Sequence, residues 1–162
     1  MKKCLVNALI LFSILIISGC TQKTEKKGYK EIHKNAVTID THTDTPLNMM
    51  NPDFNMGEQH DSREDYSCVD FPRMQKGGLD AAFFAVYLGQ RERDAEGYRE
   101  AKERALNIFD AVHESLDEHS GMAELATRPG DAARIEEAGK SAVYIGLENG
   151  YPINHNLANI DT

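Results

Sequence analysis

From Tyr29 onward the apolar positions fall into periodic segments separated by polar turns. Val37 to Ile39 is a short β-branched run, read as a strand, that stops at the polar cluster Asp40-Thr41-His42-Thr43-Asp44. Ala81 to Leu88 is apolar throughout, which marks a strand covered on both faces. From Ala95 the period becomes helical: Ala101, Ala105, Ile108, Phe109, Val112 and Leu116 share one face, with charges opposite. A second, shorter helix is expected from about Pro129 to Ala138, with a proline suited to the first turn and Gly139 where a helix ends. Ala142 to Leu147 is another buried-strand run, closed by Glu148-Asn149-Gly150. Asn48 to Asp65 has no period and reads as a long loop, and Phe71 to Gln75 as one or two helical turns stopped by Gly77-Gly78. The order strand, helix, strand, helix, strand predicts a parallel α/β architecture.

The first residues change the picture. Lys2 and Lys3 precede an apolar run from Leu5 to Ile17, which is too short to span a bilayer and ends at Ser18-Gly19-Cys20. The order is that of a bacterial lipoprotein signal peptide over residues 1–19, with Cys20 as the lipidated residue. An ordinary secretory signal with an incidental cysteine is the weaker reading, because Cys20 sits where the apolar run stops. Residues 20–28 are polar and lysine-rich, as expected of a flexible tether. Residues 29–162 form the folded part, and the chain is expected at the cell envelope, anchored through lipid on the periplasmic or extracellular face. Of the three cysteines only Cys68 is left over, so no disulfide framework is available. The net charge of −8, with no basic stripe outside the leader and tether, argues against a nucleic-acid partner.

The chemistry-bearing residues stand at the carboxyl ends of the strands, where the loops of parallel α/β folds converge. His42 and Asp44 are two residues apart, a spacing that puts both side chains on one side of a strand. An imidazole and a carboxylate so placed can hold a divalent cation, and Glu148, ending a different strand, could bridge two. The alternative is that Asp44 only caps a turn or orients His42. An ionisable Glu148 at the end of an apolar strand favours the metal, since a charge there is costly unless paired or coordinated. His113 and His119, six apart near a helix end, are read as solvated; His155 as a surface loop residue; His33 and His60 as belonging to the tether margin and the long loop. None of them completes a second site.

Ile39-Asp40-Thr41-His42-Thr43-Asp44-Thr45-Pro46 resembles the opening signature of the membrane (renal) dipeptidase family, Asp-x-His-x-Asp followed closely by proline. Phe71-Pro72-Arg73-Met74 with Gly77 to Tyr87, and Ile135 to Gly150, are similar to two further segments of that family in the same order. The resemblance implies a (β/α)8 TIM-type barrel with a binuclear zinc centre, in which His42 and Asp44 hold the first zinc and Glu148 bridges both. It implies metal-assisted attack of hydroxide on the scissile carbonyl of a dipeptide, often with a D-residue in the C-terminal position, and leaves room for a homodimer. The family usually has Glu-Gly-Gly where this chain has Glu148-Asn149-Gly150. The remaining family residues, including both histidine ligands of the second zinc, would lie beyond Thr162. With three strands visible where a barrel takes about 250 residues, the chain is expected to be the N-terminal portion of a longer protein, inactive alone. Another amidohydrolase acting on a different amide or lactam, and a non-catalytic lipoprotein scaffold, are the competing readings.

Overall fold

The computed structural model describes residues 28–160. The expected signal peptide and Cys20 lie outside the described residues. The chain enters through α1 (Tyr29–Lys34) and continues as β1 (Ile39–Thr43), α2 (Thr45–Met49), α3 (Ser62–Asp65), α4 (Phe71–Gly77), β2 (Ala81–Tyr87), α5 (Ala95–Glu118), β3 (Ala123–Leu125), α6 (Asp131–Glu137) and β4 (Ser141–Glu148). Two 3-10 turns follow, Tyr151–Ile153 and Leu157–Ile160.

All four strands are parallel, in the order β1-β2-β4-β3. The three strands expected from the sequence are therefore neighbours, and the fourth, β3, is an addition at the edge. Ala123-Glu124-Leu125 is too short to display an alternation, and it pairs only with Ser141, Ala142 and Val143 at the start of β4. The first strand also differs from expectation. Rather than stopping at the polar cluster, β1 begins at Ile39 and runs through Thr43, because its backbone pairs with β2 whatever its side chains are.

β2 and β4 pair residue for residue from Ala81–Ala142 to Tyr87–Glu148, so opposite residues share a face. One face presents Ala82, Phe84, Val86 and Val143 to α5, whose Ala105, Ile108, Val112 and Leu116 are buried against it. Phe71 and Met74 of α4 and Met56 of the preceding loop complete that core. Phe109, on the same helix, is only partly buried. The alternate face carries Ala81 and Ala142, and α6 packs there through Ala132 and Ile135. Right-handed crossovers out to the edge strand β3 and back to β4 account for helices on opposite faces.

The two-sided cover expected of β2 holds only for its first residues, because α6 is seven residues long and reaches the strand starts alone. Further along the same face Phe83 and Tyr87 are 37% and 38% exposed, with Phe83 stacked on Tyr144 at 4.6 Å. α6 also begins later than Pro129. The Asp131 carboxylate accepts the Thr127 and Arg128 amides, closing a turn that contains the proline and starts the helix after it. The long loop is interrupted by the end of α2 and by α3. Among the described residues no helix is long and apolar enough to cross a membrane.

Candidate metal centre

β1 delivers its histidine through a bulge. Asp40 pairs with Ala82 and Thr43 with Phe84, so three steps on β1 match two on β2. An unbroken alternation would point His42 with Phe84 into the helix-covered core. The extra residue instead turns Thr41 and His42 toward the open face, where both line a cavity of about 220 Å³ with Phe83, Ala85, Gly146 and Glu148. The Asp40 carboxylate accepts the His42 amide at 3.1 Å, satisfying a donor inside the irregular segment. Asp40 therefore supports the motif from within.

Asp44 is not part of the strand. It occupies the N-cap position of α2 with φ −83° and ψ 12°, followed by Pro46 in the first turn. Its side chain makes no capping hydrogen bond, so the capping alternative is not its role. On either side of it, Thr43 and Thr45 are buried and their hydroxyls hydrogen bond at 2.7 Å, which holds the turn and leaves the carboxylate outside. A bulge and a helix start, rather than strand alternation, bring His42 and Asp44 together.

Glu148 ends β4, opposite Tyr87. His42 Nε2 lies 3.5 Å from Asp44 Oδ1 and 3.4 Å from Glu148 Oε2, and one ligand atom from each residue falls within 4.8 Å of the others. Bonds of about 2.0–2.2 Å to a tetrahedral cation place its ligand atoms about 3.4 Å apart. Glu148 Oε2 is screened from solvent yet accepts no hydrogen bond, although the side chain as a whole is 43% exposed. A screened acceptor without a donor costs about 1–3 kcal/mol, more when charged. The donor set, its spacing and this orphaned oxygen fit a divalent cation. His42 and Asp44 are 54% and 60% exposed, so the cluster is open on one side.

The other histidines are placed elsewhere. His113 is exposed on α5 beside a cavity of about 490 Å³ unrelated to the cluster. His119, expected to be solvated, is partly buried: its ring is tilted against Phe71 and its Nδ1 donates to Ser115 O at 2.8 Å. His155 meets the Tyr98 hydroxyl at 3.3 Å. His33 bonds Gly77 O at 2.9 Å. His60 is enclosed in the loop before α4, bonded to Asp65 and to Asn55 O. Asn149, noted in the sequence only as a departure from Glu-Gly-Gly, holds a left-handed conformation (φ 65°) and donates from Nδ2 to Leu88 O at 2.8 Å, a tie the sequence does not reveal.

The chain is similar to several known proteins. The dipeptidase ataJ of Aspergillus terreus is 29% identical over 92 residues, covering 54% of this chain and 22% of its own length. The probable dipeptidase PvdM from Pseudomonas aeruginosa superposes with a TM-score of 0.71 at 18% identity, over 82% of this chain and 33% of that one. The dipeptidase AC, a metallopeptidase of family M19, does so with a TM-score of 0.63 at 19% identity, over 76% of this chain and 38% of that one. The chain thus spans about a third of these structures and less of the fungal relative. The fold is α/β, matching part of the TIM-type barrel of the structural neighbours. The profile of the family described as membrane dipeptidase (peptidase family M19) matches residues 26–162, most of the chain, and the chain belongs to that family.

Proposed function

We propose that the protein is a metal-dependent dipeptidase of the cell envelope, with His42, Asp44 and Glu148 as zinc ligands and a lipid anchor on Cys20. The observation that carries the reading is the screened, unbonded Glu148 oxygen set 3.4 Å from His42 Nε2 in a chain of the membrane dipeptidase family. Three relatives described as dipeptidases or probable dipeptidases, one of them also as a metallopeptidase, support the reaction class.

His42 offers a neutral imidazole nitrogen, and Asp44 and Glu148 offer hard oxygen ligands, a mixture that suits zinc. Glu148 has two oxygens and can serve two cations. Bound there, zinc would polarise the scissile carbonyl and activate water near neutral pH. The protein's own contribution is placement. The bulge aims His42, the paired threonines fix the backbone around Asp44, and the exposed side of the cluster admits a small peptide. The anchor rests on the order of basic, apolar and small residues before Cys20.

The test is metal content and dipeptide hydrolysis, before and after chelation, of the protein purified from its full reading frame. Zinc in the protein and loss of activity on stripping, restored by adding zinc back, are the expected results. Hydrolysis that survives complete metal removal overturns the proposal. Cys20→Ser should move the protein from the membrane fraction to the soluble fraction.

A further inference from the structure

No donor bonds Glu148 Oε2, so the placement of this carboxylate depends on the backbone at the end of β4. The last register pair of the β2–β4 ladder is Tyr87 with Glu148. At the next residue the backbone of Asn149 turns left-handed and leaves the ladder. The tie between the two strands nevertheless continues by one more residue, carried by a side chain: Asn149 Nδ2 donates to Leu88 O at 2.8 Å. Asn149 Oδ1 accepts the Tyr151 amide at 2.9 Å, and the Tyr151 hydroxyl donates to Glu92 O at 2.5 Å. Gly97 makes room for that second contact, since a Cβ there would lie 2.6 Å from the Tyr151 hydroxyl. The segment after Glu148 thus grips the chain leaving β2 at two points.

We propose that Asn149 is a positioning residue that fixes Glu148 for the cation by extending the β2–β4 tie past the end of the ladder. The proposal rests on the metal reading above. A glycine would supply the left-handed backbone with no side-chain tie. Asparagine tolerates the same conformation and adds both hydrogen bonds. Supporting partners of this kind matter to metal ligands because small displacements weaken coordination.

The experiment titrates metal-free wild type, Asn149→Gly, Asn149→Asp and His42→Ala with Co²⁺, following the visible spectrum, beside thermal unfolding of each metal-free form. Glycine keeps the backbone conformation and loses both bonds. Aspartate keeps the acceptor for Tyr151 and loses the donor to Leu88, although its added negative charge alone would favour a cation. Both Asn149 variants should bind Co²⁺ about tenfold more weakly or worse, with altered spectra, while their metal-free unfolding midpoints stay near wild type. Wild-type affinity and spectrum in Asn149→Gly overturn the assignment, as does a loss confined to metal-free stability. Wild-type binding by His42→Ala overturns the metal reading itself, and the assignment with it.

Discussion

Among the described residues, two clusters each bring a histidine together with two acids, and they differ in how far their hydrogen-bonding capacity is used. His60 has both ring nitrogens engaged, with Asp65 and with Asn55 O, and its ring stacks on Phe54 at 4.2 Å. Asp70 beside it is fully buried and accepts the His60 amide at 2.9 Å, the Arg73 amide at 2.7 Å and the Arg73 guanidinium at 2.5 Å. Arg73 reaches on to Ser67 O. At His42 the same residue types face one another without such bonds, and Glu148 Oε2 has none. A histidine with two carboxylates is therefore not by itself a metal site. Unused ligand capacity in a converging geometry distinguishes the second cluster from the first.

The sharpest way to break that comparison is to exchange the roles. His42→Ala and Glu148→Ala should each lower zinc affinity by more than the roughly 100-fold seen when an outer partner of a metal ligand is lost. His60→Ala should leave the zinc content of the folded protein unchanged. Metal analysis of the three variants checks this, and zinc retained by His42→Ala would erase the distinction. Stability should show the reverse order. Asp70→Ala strips the α4 cap and leaves the Arg73 guanidinium without its buried partner, with an expected loss of about 3 kcal/mol or more in chemical denaturation. Asp44→Ala removes an exposed carboxylate with no capping bond, and the metal-free protein should unfold within about 0.5 kcal/mol of wild type.

The contrast also explains what was legible beforehand. The strands β2 and β4 and the long helix α5 stood out because burial imposes a period on many consecutive residues. The three candidate ligands stood out because an ionisable residue at the end of an apolar run needs a reason. The bulge at Thr41–His42 left no trace in the residue pattern, since it arises from pairing with a distant strand. β3 was hidden for the same reason, as three residues show no period. The functions of Asp40 and Asn149 were equally silent, because each bonds a backbone atom whose position only the fold determines.

A smaller effect comes from the turn that ends α4. Gly78 has φ 70°, a conformation that costs other residues about 1 kcal/mol, and a Cβ there would also lie 2.9 Å from His33 Nε2. Gly78→Ala should destabilise by about 1–2 kcal/mol. The backbone part should persist in a His33→Ala background, where the clash is absent; full rescue by His33→Ala would place the whole cost in side-chain contact instead.

The smallest expected effect probes the satisfied cluster through protons. Burial pushes the His60 imidazole down, but its bonds to Asn55 O and Asp65 and the nearby charges of Asp65 and Asp70 outweigh burial and raise it above its ordinary value. Both partners of the ring are acceptors, so both nitrogens must donate, which only the imidazolium does. The folded state therefore binds this proton more tightly than the unfolded chain. Its contribution is fully present below the unfolded pKa of about 6.5 and is lost as pH rises through the higher folded value. Asp65 is shifted the opposite way, lowered by the Ser67 amide and by His60, so its own contribution is present above about pH 4 and fades only in acid, outside that window. The stability difference between wild type and His60→Gln should accordingly shrink as pH is raised from about 6.5, with a slope no steeper than the 1.4 kcal/mol per pH unit of one proton. A difference that is flat, or that grows with pH, would mean the ring is neutral in the folded protein and that its two bonds are not both made.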